Sequence, residues 1–263
     1  MDKRFCFTVD DNVRVFKELT EGCYPSIFDH PYLAVYRRLH EKYGLCVQLN
    51  LFYACEGFTL TQMTDRYKSE FEKNADWLKM SFHSKIENLR PYEGAGYNEV
   101  YADCAAVEDE ILRFAGKNAL AKTTTIHFCL LTEEGVRAMR DRGTKGLLGL
   151  YGTKESPRLS YQTEETRGAR IRKGETVLDG EIFYAGIDIV LNLYGKEENL
   201  ARLSSLYGRE LIKVMIHEQY FYPDYPLYQK DFEEKLDAVF AALGKAGYQS
   251  TFFENTLCKE KNL

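Results

Sequence analysis

The sequence predicts an α/β protein folded as a distorted (β/α) barrel of about seven strands. Short β-rich segments alternate with amphipathic segments of helical periodicity along the 263 residues. Strands that are separated by single helices pair in parallel, because each helix returns the chain to the same end of the sheet. Seven or eight such units over this length are typical of a (β/α) barrel or a large open sheet, and we favour the barrel.

The predicted strands are short runs rich in β-branched, aromatic and aliphatic residues, at positions 4–9, 45–51, 78–82, 124–128, 145–150, 186–192, 211–216 and 250–253. The predicted helices lie at positions 12–20, 33–43, 62–76, 98–115, 133–142, 196–207 and 232–246. Glycines follow several of them, at positions 44, 116, 143 and 247, where a left-handed residue commonly ends a helix. Thr132 precedes two glutamates and predicts the start of the fifth helix.

The alternation of strands and helices breaks once, near residues 151–184. This stretch is polar and contains glycines, and two short parts of it alternate in polarity, which predicts an insertion that bears a hairpin. Neither an internal repeat nor a low-complexity segment divides the chain, so we expect a single domain over residues 1–263.

Composition argues against several classes of protein. Apolar residues make up 44% and charged residues 29% of the chain, as in globular domains. The net charge of -5 and the lack of a basic stripe argue against a nucleic-acid partner. No run of about 18 apolar residues predicts a membrane span, and the first residues do not resemble a signal peptide. With seven widely spaced cysteines and no CxxC motif, we expect a reduced, cytoplasmic protein. The sequence gives no indication of its oligomeric state.

Chemically useful side chains lie at the ends of the predicted strands. Ligands of parallel α/β proteins bind at the carboxyl ends of the strands. Three of the five histidines, an acidic pair and one further carboxylate occur there, and the sixth strand carries another carboxylate: His83, His127, His217, Asp10, Asp11, Glu218 and, within the strand, Asp188. One histidine at a strand end is commonly structural, whereas three of them with an acidic pair indicate a site.

Two pairs in this set favour a metal. Asp10 and Asp11 are adjacent, and two such carboxylates do not both ionise easily unless a cation lies beside them. The alternative is that one of them caps the following helix. His83 and Glu87 are four residues apart, and on a helical turn they would share a face and reach the same ion. The alternative for this pair is an ordinary surface interaction.

An aromatic segment follows the strand that ends at His217. It runs from Gln219 to Gln229 and includes Tyr220 and Tyr222, which would form a wall on which a sugar ring stacks. The equally weighted alternative is a proline-stiffened loop that packs against its neighbours. Glu218 is a candidate partner for one ring nitrogen of His217.

Three of these segments resemble motifs of the polysaccharide deacetylases, a family with a distorted (β/α) barrel. FTVDD, which ends at Asp11, is similar to their first motif, Thr-Phe-Asp-Asp at the end of the first strand. FHSKIE resembles their second motif, with Glu87 where a second histidine is expected. VMIHE, which contains His217, resembles their last motif. The order of the motifs agrees from about residue 4 to the final strand.

The resemblance implies a role for each residue. Asp10 would be the general base, and His217 would be the general acid that protonates the leaving amine. Asp11 and His83 would bind one divalent ion with Glu87 as the third ligand. Zinc is the expected ion, and a carboxylate in place of histidine makes Mn, Co or Mg easier to bind.

One family motif is missing, because the Arg-Pro-Tyr expected after the fourth strand is absent there. Arg90-Pro91-Tyr92 has these letters but follows the third strand, and His127 is the candidate that replaces the arginine.

The predicted function is a metal-dependent hydrolase that removes an N-acyl group, in the first place acetyl, from a carbohydrate or a related small molecule. One alternative is a degenerate member of the fold that binds a carbohydrate or a partner without turnover, which Glu87 and the missing motif favour. The other is a hydrolase of a different amide or ester.

Overall fold

The computed structural model describes residues 2–55, 57–87, 90–151, 161 and 165–257. Its strands are β1 (Arg4–Asn12), β2 (Val47–Cys55), β3 (Phe58–Thr59), β4 (Leu78–Ile86), β5 (Thr123–Thr125), β6 (Gly146–Gly149), β7 (Val177–Asp179), β8 (Ile182–Gly186), β9 (Ile189–Val190), β10 (Leu211–His217) and β11 (Gln249–Ser250). Its helices are α1 (Arg14–Glu21), α2 (Pro31–Tyr43), α3 (Lys68–Lys73), α4 (Tyr97–Phe114), α5 (Glu133–Asp141), α6 (Glu165–Arg172), α7 (Lys196–Ser205) and α8 (Phe232–Lys245).

The strands form two sheets with parallel cores. In the larger sheet, β1 lies between β2 and β10, and both pairings are parallel. β2 pairs further with β4, and β10 with β9, again in parallel. In the smaller sheet, β6 lies in parallel between β5 and β8. The short strands β3 and β7 add antiparallel partners to β2 and β8.

Two links join the sheets. β8 and β9 are separated only by Ile187 and Asp188, so one stretch of chain pairs first with β6 and then with β10. On the other side, an isolated parallel bridge connects Met80 of β4 to Leu120. The strands therefore follow the order β1, β2, β4, β5, β6, β8–β9, β10, which confirms the predicted distorted barrel of about seven strands. Within the described residues, the hydrogen-bonded ladder is interrupted at these two links.

Alternation along β1 separates an outer apolar face from an inner polar one. Phe5 and Phe7 pack against Phe240 of α8, with ring centroids 5.6 Å and 5.0 Å apart. Because side chains alternate between faces, Thr8 and Asp10 point to the opposite side, into the barrel. Burial of each large apolar side chain stabilises the fold by about 1.5–3 kcal/mol, so the outer face holds the helices and the inner face is available for chemistry.

Several predicted elements are shorter in the structure, and two of them show a local cause. The helix predicted at 62–76 is reduced to α3 at Lys68–Lys73, and residues 60–62 form a separate 3-10 helix. At the C-terminal end of α3, the Asn74 side chain donates to the Glu70 carbonyl. The strand predicted at 124–128 ends at Thr125, since Phe128 and Cys129 have φ angles of 58° and 57°, outside the β region.

The predicted insertion carries a hairpin, as expected. β7 and β8 pair in antiparallel fashion around Gly180, whose φ is 59°. The insertion also carries α6, which the sequence did not predict. Residues 152–160 and 162–164 of the insertion lie outside the described residues.

In the part of the chain that the structure describes, no helix combines the length and the apolar character that a membrane span requires.

Candidate metal centre and its cavity

An irregular end of β1 brings two adjacent carboxylates to one side of the strand. Neighbouring residues in a regular strand point to opposite faces. Asp11 has a φ of 65°, and the register of β1 against β2 shifts between Val9 and Asn12, which marks a β-bulge. Such a backbone conformation costs about 1–3 kcal/mol in a residue other than glycine and is typical of functional positions. Asp10 and Asp11 consequently line the same cavity.

Three side chains at the ends of β1, β4 and β5 bring their ligand atoms together. His83 Nε2 lies 3.0 Å from Asp11 Oδ1 and 3.2 Å from His127 Nδ1. The third side of this triangle, from His127 Nδ1 to Asp11 Oδ1, is 3.4 Å. A tetrahedral ion with bonds of ~2.0–2.1 Å keeps its ligand atoms roughly 3.3–3.4 Å apart. The triangle therefore has the dimensions of a metal site, and we call it the metal triangle.

The hydrogen bond on the far side of His83 supports the same interpretation. His83 Nδ1 lies 2.5 Å from the backbone carbonyl oxygen of Thr125, which can only accept, so Nδ1 carries a proton. In a neutral ring, Nε2 then presents a lone pair to the carboxylate of Asp11 and to His127. A lone pair that lies 3.0 Å from a carboxylate oxygen needs a proton or a metal ion between the two atoms. Backbone-anchored histidines of this kind are common among metal ligands.

Neighbouring side chains hold the metal triangle in place. Gln219 Nε2 donates to Asp11 Oδ2 at 2.8 Å, which fixes the carboxylate plane. The ring of Phe52 packs against His83 and His127, with centroids 5.2 Å and 4.9 Å away. These contacts restrict the three ligand side chains to one arrangement, as a preorganised site requires.

Burial and charge shift the pKa values of the site in opposite directions. Burial raises the pKa of Asp10 and outweighs the neighbouring imidazoles. Burial also acts on Asp11, but hydrogen bonds from His127 and His83 prevail and hold its pKa well below the ordinary value. At His83, burial disfavours the charged ring, yet the two carboxylates outweigh it and raise the pKa. The centre therefore attracts positive charge.

Asp10 stands beside the metal triangle and is held by a different group. Asn50 Nδ2 donates to Asp10 Oδ1 at 2.6 Å. The backbone of Asp10 lies in register with His217 at the end of β10. The proposed base and the proposed acid thus occupy neighbouring strand ends, and both line the cavity.

His217 has a different partner from the one that the sequence suggested. Its Nδ1 lies 2.8 Å from Asn192 Oδ1. Glu218 is instead buried beneath α1, where its carboxylate accepts the backbone N–H groups of Val13, Arg14 and Val15. The suggested Glu218–His217 pair is wrong, because residues 217 and 218 point in different directions at the strand end.

The hydrogen bonds of Glu218 also exclude the alternative that Asp10 or Asp11 caps the helix after β1. The N-cap of α1 is Val13, and Glu218 supplies the acceptor oxygens there. Asp10 and Asp11 therefore do not cap this helix.

Glu87 lies apart from the metal triangle, and the geometric argument for it as a ligand is wrong. His83 is inside β4, which continues to Ile86, so four residues span roughly 13 Å along a strand rather than one helical turn. Glu87 is exposed and lies at the cavity mouth with Arg90 and Glu93. His127, which we expected only as an auxiliary residue, occupies the third corner.

Two further predicted site residues have structural contacts. Asp188 forms ion pairs with Arg209 and with the buried Lys213, whose Nζ is 3.0 Å away, and these contacts lie at the junction of β9 and β10. Tyr222 is buried and packs against Tyr32, with ring centroids 6.1 Å apart. Neither side chain lines the cavity. Tyr220, by contrast, does line it, and its ring lies 6.1 Å from that of His217.

The cavity in front of the metal triangle has a volume of ≈ 810 Å³, which suits a small-molecule or sugar ligand. One wall is apolar and includes Leu150, Val190, Leu193 and Met215. Phe128 also lines the cavity and is 48% exposed, which places its ring at the mouth. The lining also includes the charged side chains of Glu87, Arg90 and Glu93.

Comparison with solved structures identifies the fold. The chain resembles a family 4 acetyl xylan esterase from Clostridium thermocellum, solved with a cobalt ion, at a TM-score of 0.52 and 12% identity, covering 96% of this chain and 89% of that one. It also resembles the peptidoglycan N-acetylglucosamine deacetylase Bc1960, at a TM-score of 0.52 and 10% identity over 99% of this chain and 91% of that chain. The fold is that of the carbohydrate deacetylases. The resemblance inferred from the three motifs is thereby confirmed at the level of fold.

The same fold also carries other chemistry. The chain matches a 4-alpha-glucanotransferase from Thermococcus litoralis at a TM-score of 0.63 and 13% identity, covering 99% of this chain but 41% of that one. No sequence-family profile and no curated protein sequence matches the chain. Any functional conclusion must therefore come from the side chains at the site.

Sequence reasoning missed three polar residues of the site: Asn50, Asn192 and Gln219. A signal for Asn50 exists, since Gln48 and Asn50 interrupt the otherwise apolar run of β2 two residues apart and thus share its inner face. Buried amides in an apolar strand need partners, which marks them as candidates. Asn192 and Gln219 lie in short 3-10 helices, where no periodicity reveals which way a side chain points.

Proposed function

We propose that the protein is a metal-dependent hydrolase that removes an acyl group, in the first place acetyl, from the nitrogen of a carbohydrate or a related small molecule. The observation that carries this proposal is the metal triangle of Asp11, His83 and His127 beside Asp10 and His217 in one cavity. Carbohydrate deacetylases among the structural neighbours agree with this reaction class.

The donor set favours particular ions. Two imidazole nitrogens and one carboxylate oxygen suit zinc or cobalt better than the hard ions Mg and Ca. A divalent ion held there would polarise an acyl oxygen and make water more acidic. The replacement of Glu87 by His127 as the third ligand makes the proposed site softer than the sequence suggested, so we expect zinc first and cobalt or manganese next.

The protein side chains would divide the proton transfers between them. Asn50 holds Asp10 Oδ1, and we assign Asp10 Oδ2 to the acceptance of a proton from water. Burial raises the pKa of Asp10 towards the range in which a carboxylate is an effective base. Asn192 holds His217 Nδ1, and we assign Nε2 to proton donation to the leaving nitrogen. Both groups face the cavity from neighbouring strands, so a single bound amide would lie between them.

A substrate screen tests the proposal. We expect the metal-loaded protein to release acetate from N-acetylated amino sugars or their oligosaccharides, with acetyl esters and small amides as comparison substrates. Asp10→Asn should lower turnover about 10²–10⁴-fold, the usual contribution of one proton-transfer group, and still bind metal.

The outcomes separate the proposed function from the alternatives. Sugar binding without release of acetate by the metal-loaded protein would contradict the proposal and favour the non-catalytic alternative. Turnover of esters or unrelated amides in place of N-acetylated sugars would favour a hydrolase of a different substrate class.

A further inference from the structure

A buried network of hydrogen bonds, which we call the polar network, crosses the barrel beneath the metal triangle. It starts at Thr123 of β5, passes through Gln48 of β2 and reaches Asn50 of the same strand, and Ser81 of β4 joins it from the side. Each of these residues is at most 4% exposed. Buried polar groups cost free energy unless they are paired, and apolar residues would fill a barrel interior at lower cost. Packing alone therefore does not explain why the polar network is present.

The direction of each hydrogen bond in the polar network follows from one backbone carbonyl. Thr123 O can only accept, so the atom of Gln48 that lies 2.8 Å from it must be the amide nitrogen Nε2. Gln48 Oε1 then accepts from Thr123 Oγ1 at 3.1 Å, which agrees with this orientation. The same Nε2 lies 2.8 Å from Asn50 Oδ1 and donates its other proton there.

A second donor fixes the Asn50 amide in the same orientation. Ser81 Oγ lies 2.6 Å from Asn50 Oδ1. Because Oδ1 accepts from two donors, Nδ2 is turned to the opposite side, where it donates to Asp10 Oδ1 at 2.6 Å. A flipped amide would place two donors against Nδ2 and an oxygen against the carboxylate, so one orientation is strongly favoured.

We propose that Asn50 is a positioning residue that fixes the carboxylate of Asp10 for proton transfer, with its own amide oriented by Gln48 and Ser81. This inference rests on the proposed function, in which Asp10 is the base. An amide donates a hydrogen bond and adds no charge, so Asn50 orients Asp10 without an ion pair. Proton transfer requires that the reacting groups are placed to within about 0.5 Å, and the polar network holds Asp10 with that precision.

Remote substitutions test the orientation. Gln48→Met and Ser81→Ala each remove one of the two donors to Asn50 Oδ1, and neither residue contacts Asp10 through a hydrogen bond in the described structure. With one donor left, the amide stays oriented, so each single variant should keep kcat within about threefold of the wild type. The double variant should lower kcat at least about tenfold with little change in KM, and it should approach Asn50→Leu.

Rescue and metal affinity separate positioning from general damage. Gln48→Met combined with Ser81→Thr keeps the hydroxyl donor and should restore kcat. Metal affinity, measured by titration, should stay within about threefold in every variant. Equal losses in the single and double variants, or a loss that appears in KM or in metal affinity, would overturn the inference.

A direct measurement keeps this test independent of the proposed reaction. If the wild type hydrolyses none of the substrates, the proposed function fails, and the Asn50 side-chain amide is then followed by NMR. Slow hydrogen exchange of this amide in the wild type, lost in the double variant, supports the positioning of Asp10. Fast exchange in the wild type would contradict it.

Discussion

The imidazole of His83 is the group for which a proton and a metal ion compete. Its Nδ1 is anchored to the Thr125 carbonyl, and its Nε2 faces Asp11 and His127. Without a metal, the negative charges of Asp10 and Asp11 stabilise a proton on Nε2 and thereby raise the pKa of the ring. With a metal, that proton must leave, because only the deprotonated nitrogen is a ligand.

Metal affinity should therefore depend on pH. His83 has a pKa above its ordinary value of 6.5 in the folded protein, so metal binding displaces a proton from the ring wherever the pH lies below that raised pKa. We expect affinity to weaken about tenfold per unit as pH falls below that raised pKa. Calorimetric titrations between pH 6 and pH 8, in buffers of different ionisation enthalpy, measure both the affinity and the proton release. An affinity that is constant over this range would contradict the model of competition.

Stability of the metal-free protein should show the opposite trend. A raised pKa means that the folded state holds the His83 proton more tightly than the unfolded state. This contribution is fully present below the unfolded value of 6.5 and is lost as pH rises through the folded value. The lowered pKa of Asp11 contributes stability above its ordinary value of 3.8, which is lost as pH falls towards its folded value.

At the scale of secondary structure, helix α1 depends on a residue more than 200 positions away. It begins after Val13 without a side-chain cap of its own and without an acidic residue in its first turn. Glu218 Oε2 accepts from Val13 and Arg14, and Oε1 accepts from Val15 at 2.8 Å. Burial raises the pKa of this carboxyl to about 7, despite the three backbone donors. One side chain thus ties the β1–α1 connection, which carries the acidic pair, to the end of β10.

Removal of this distant cap should destabilise the fold. At pH 8, we expect Glu218→Ala to lower the free energy of unfolding by about 2–3 kcal/mol, since it leaves two buried N–H groups and one partly buried N–H group without their acceptor. Glu218→Gln keeps one acceptor oxygen and should cost less. Glu197→Gln, in the exposed first turn of α7, is the control and should change stability by less than about 0.5 kcal/mol. Urea unfolding measures these differences, and equal stability of Glu218→Ala and the control would contradict the capping role.

The extent of β4 explains why Glu87 lies outside the metal triangle. The apolar alternation of this strand ends near Phe82 in the sequence, and a turn was therefore expected after it. The strand instead continues through His83 to Ile86, paired with β2 across a register shift after Leu51. Pairing partners decide where a strand ends, and they are distant in sequence, so local periodicity could not place Glu87.

At the scale of the whole molecule, the fold class and the acidic pair were predictable, whereas the complete site was not. Alternation of strands and helices predicted the barrel, and placement at strand ends selected Asp10, Asp11, His83, His127 and His217 for one rim. The third corner of the metal triangle depends on the positive φ angles at Phe128 and Cys129, which turn the chain directly after His127. Such backbone conformations are imposed by tertiary contacts and leave no periodic signal.

The junction of the two sheets shows the same limit. Asp188 was expected at the site because a predicted strand carries it. It instead forms ion pairs with Arg209 and Lys213, where one stretch of chain pairs first with β6 and then with β10. A carboxylate beside a buried lysine is needed there, since an unpaired buried ammonium is costly. Sequence position alone does not distinguish a carboxylate that closes a fold from one that performs chemistry.

The central claim is that one divalent ion binds to Asp11, His83 and His127, and metal titration of two matched variants tests it most directly. His127→Ala and Glu87→Gln are purified without chelator, and their zinc and cobalt content and affinity are compared with those of the wild type. We predict about one ion per chain in the wild type and in Glu87→Gln, and an affinity at least about 100-fold weaker in His127→Ala, because it removes a ligand. A wild type that binds no metal, or loss of metal in Glu87→Gln with full binding in His127→Ala, would contradict the claim.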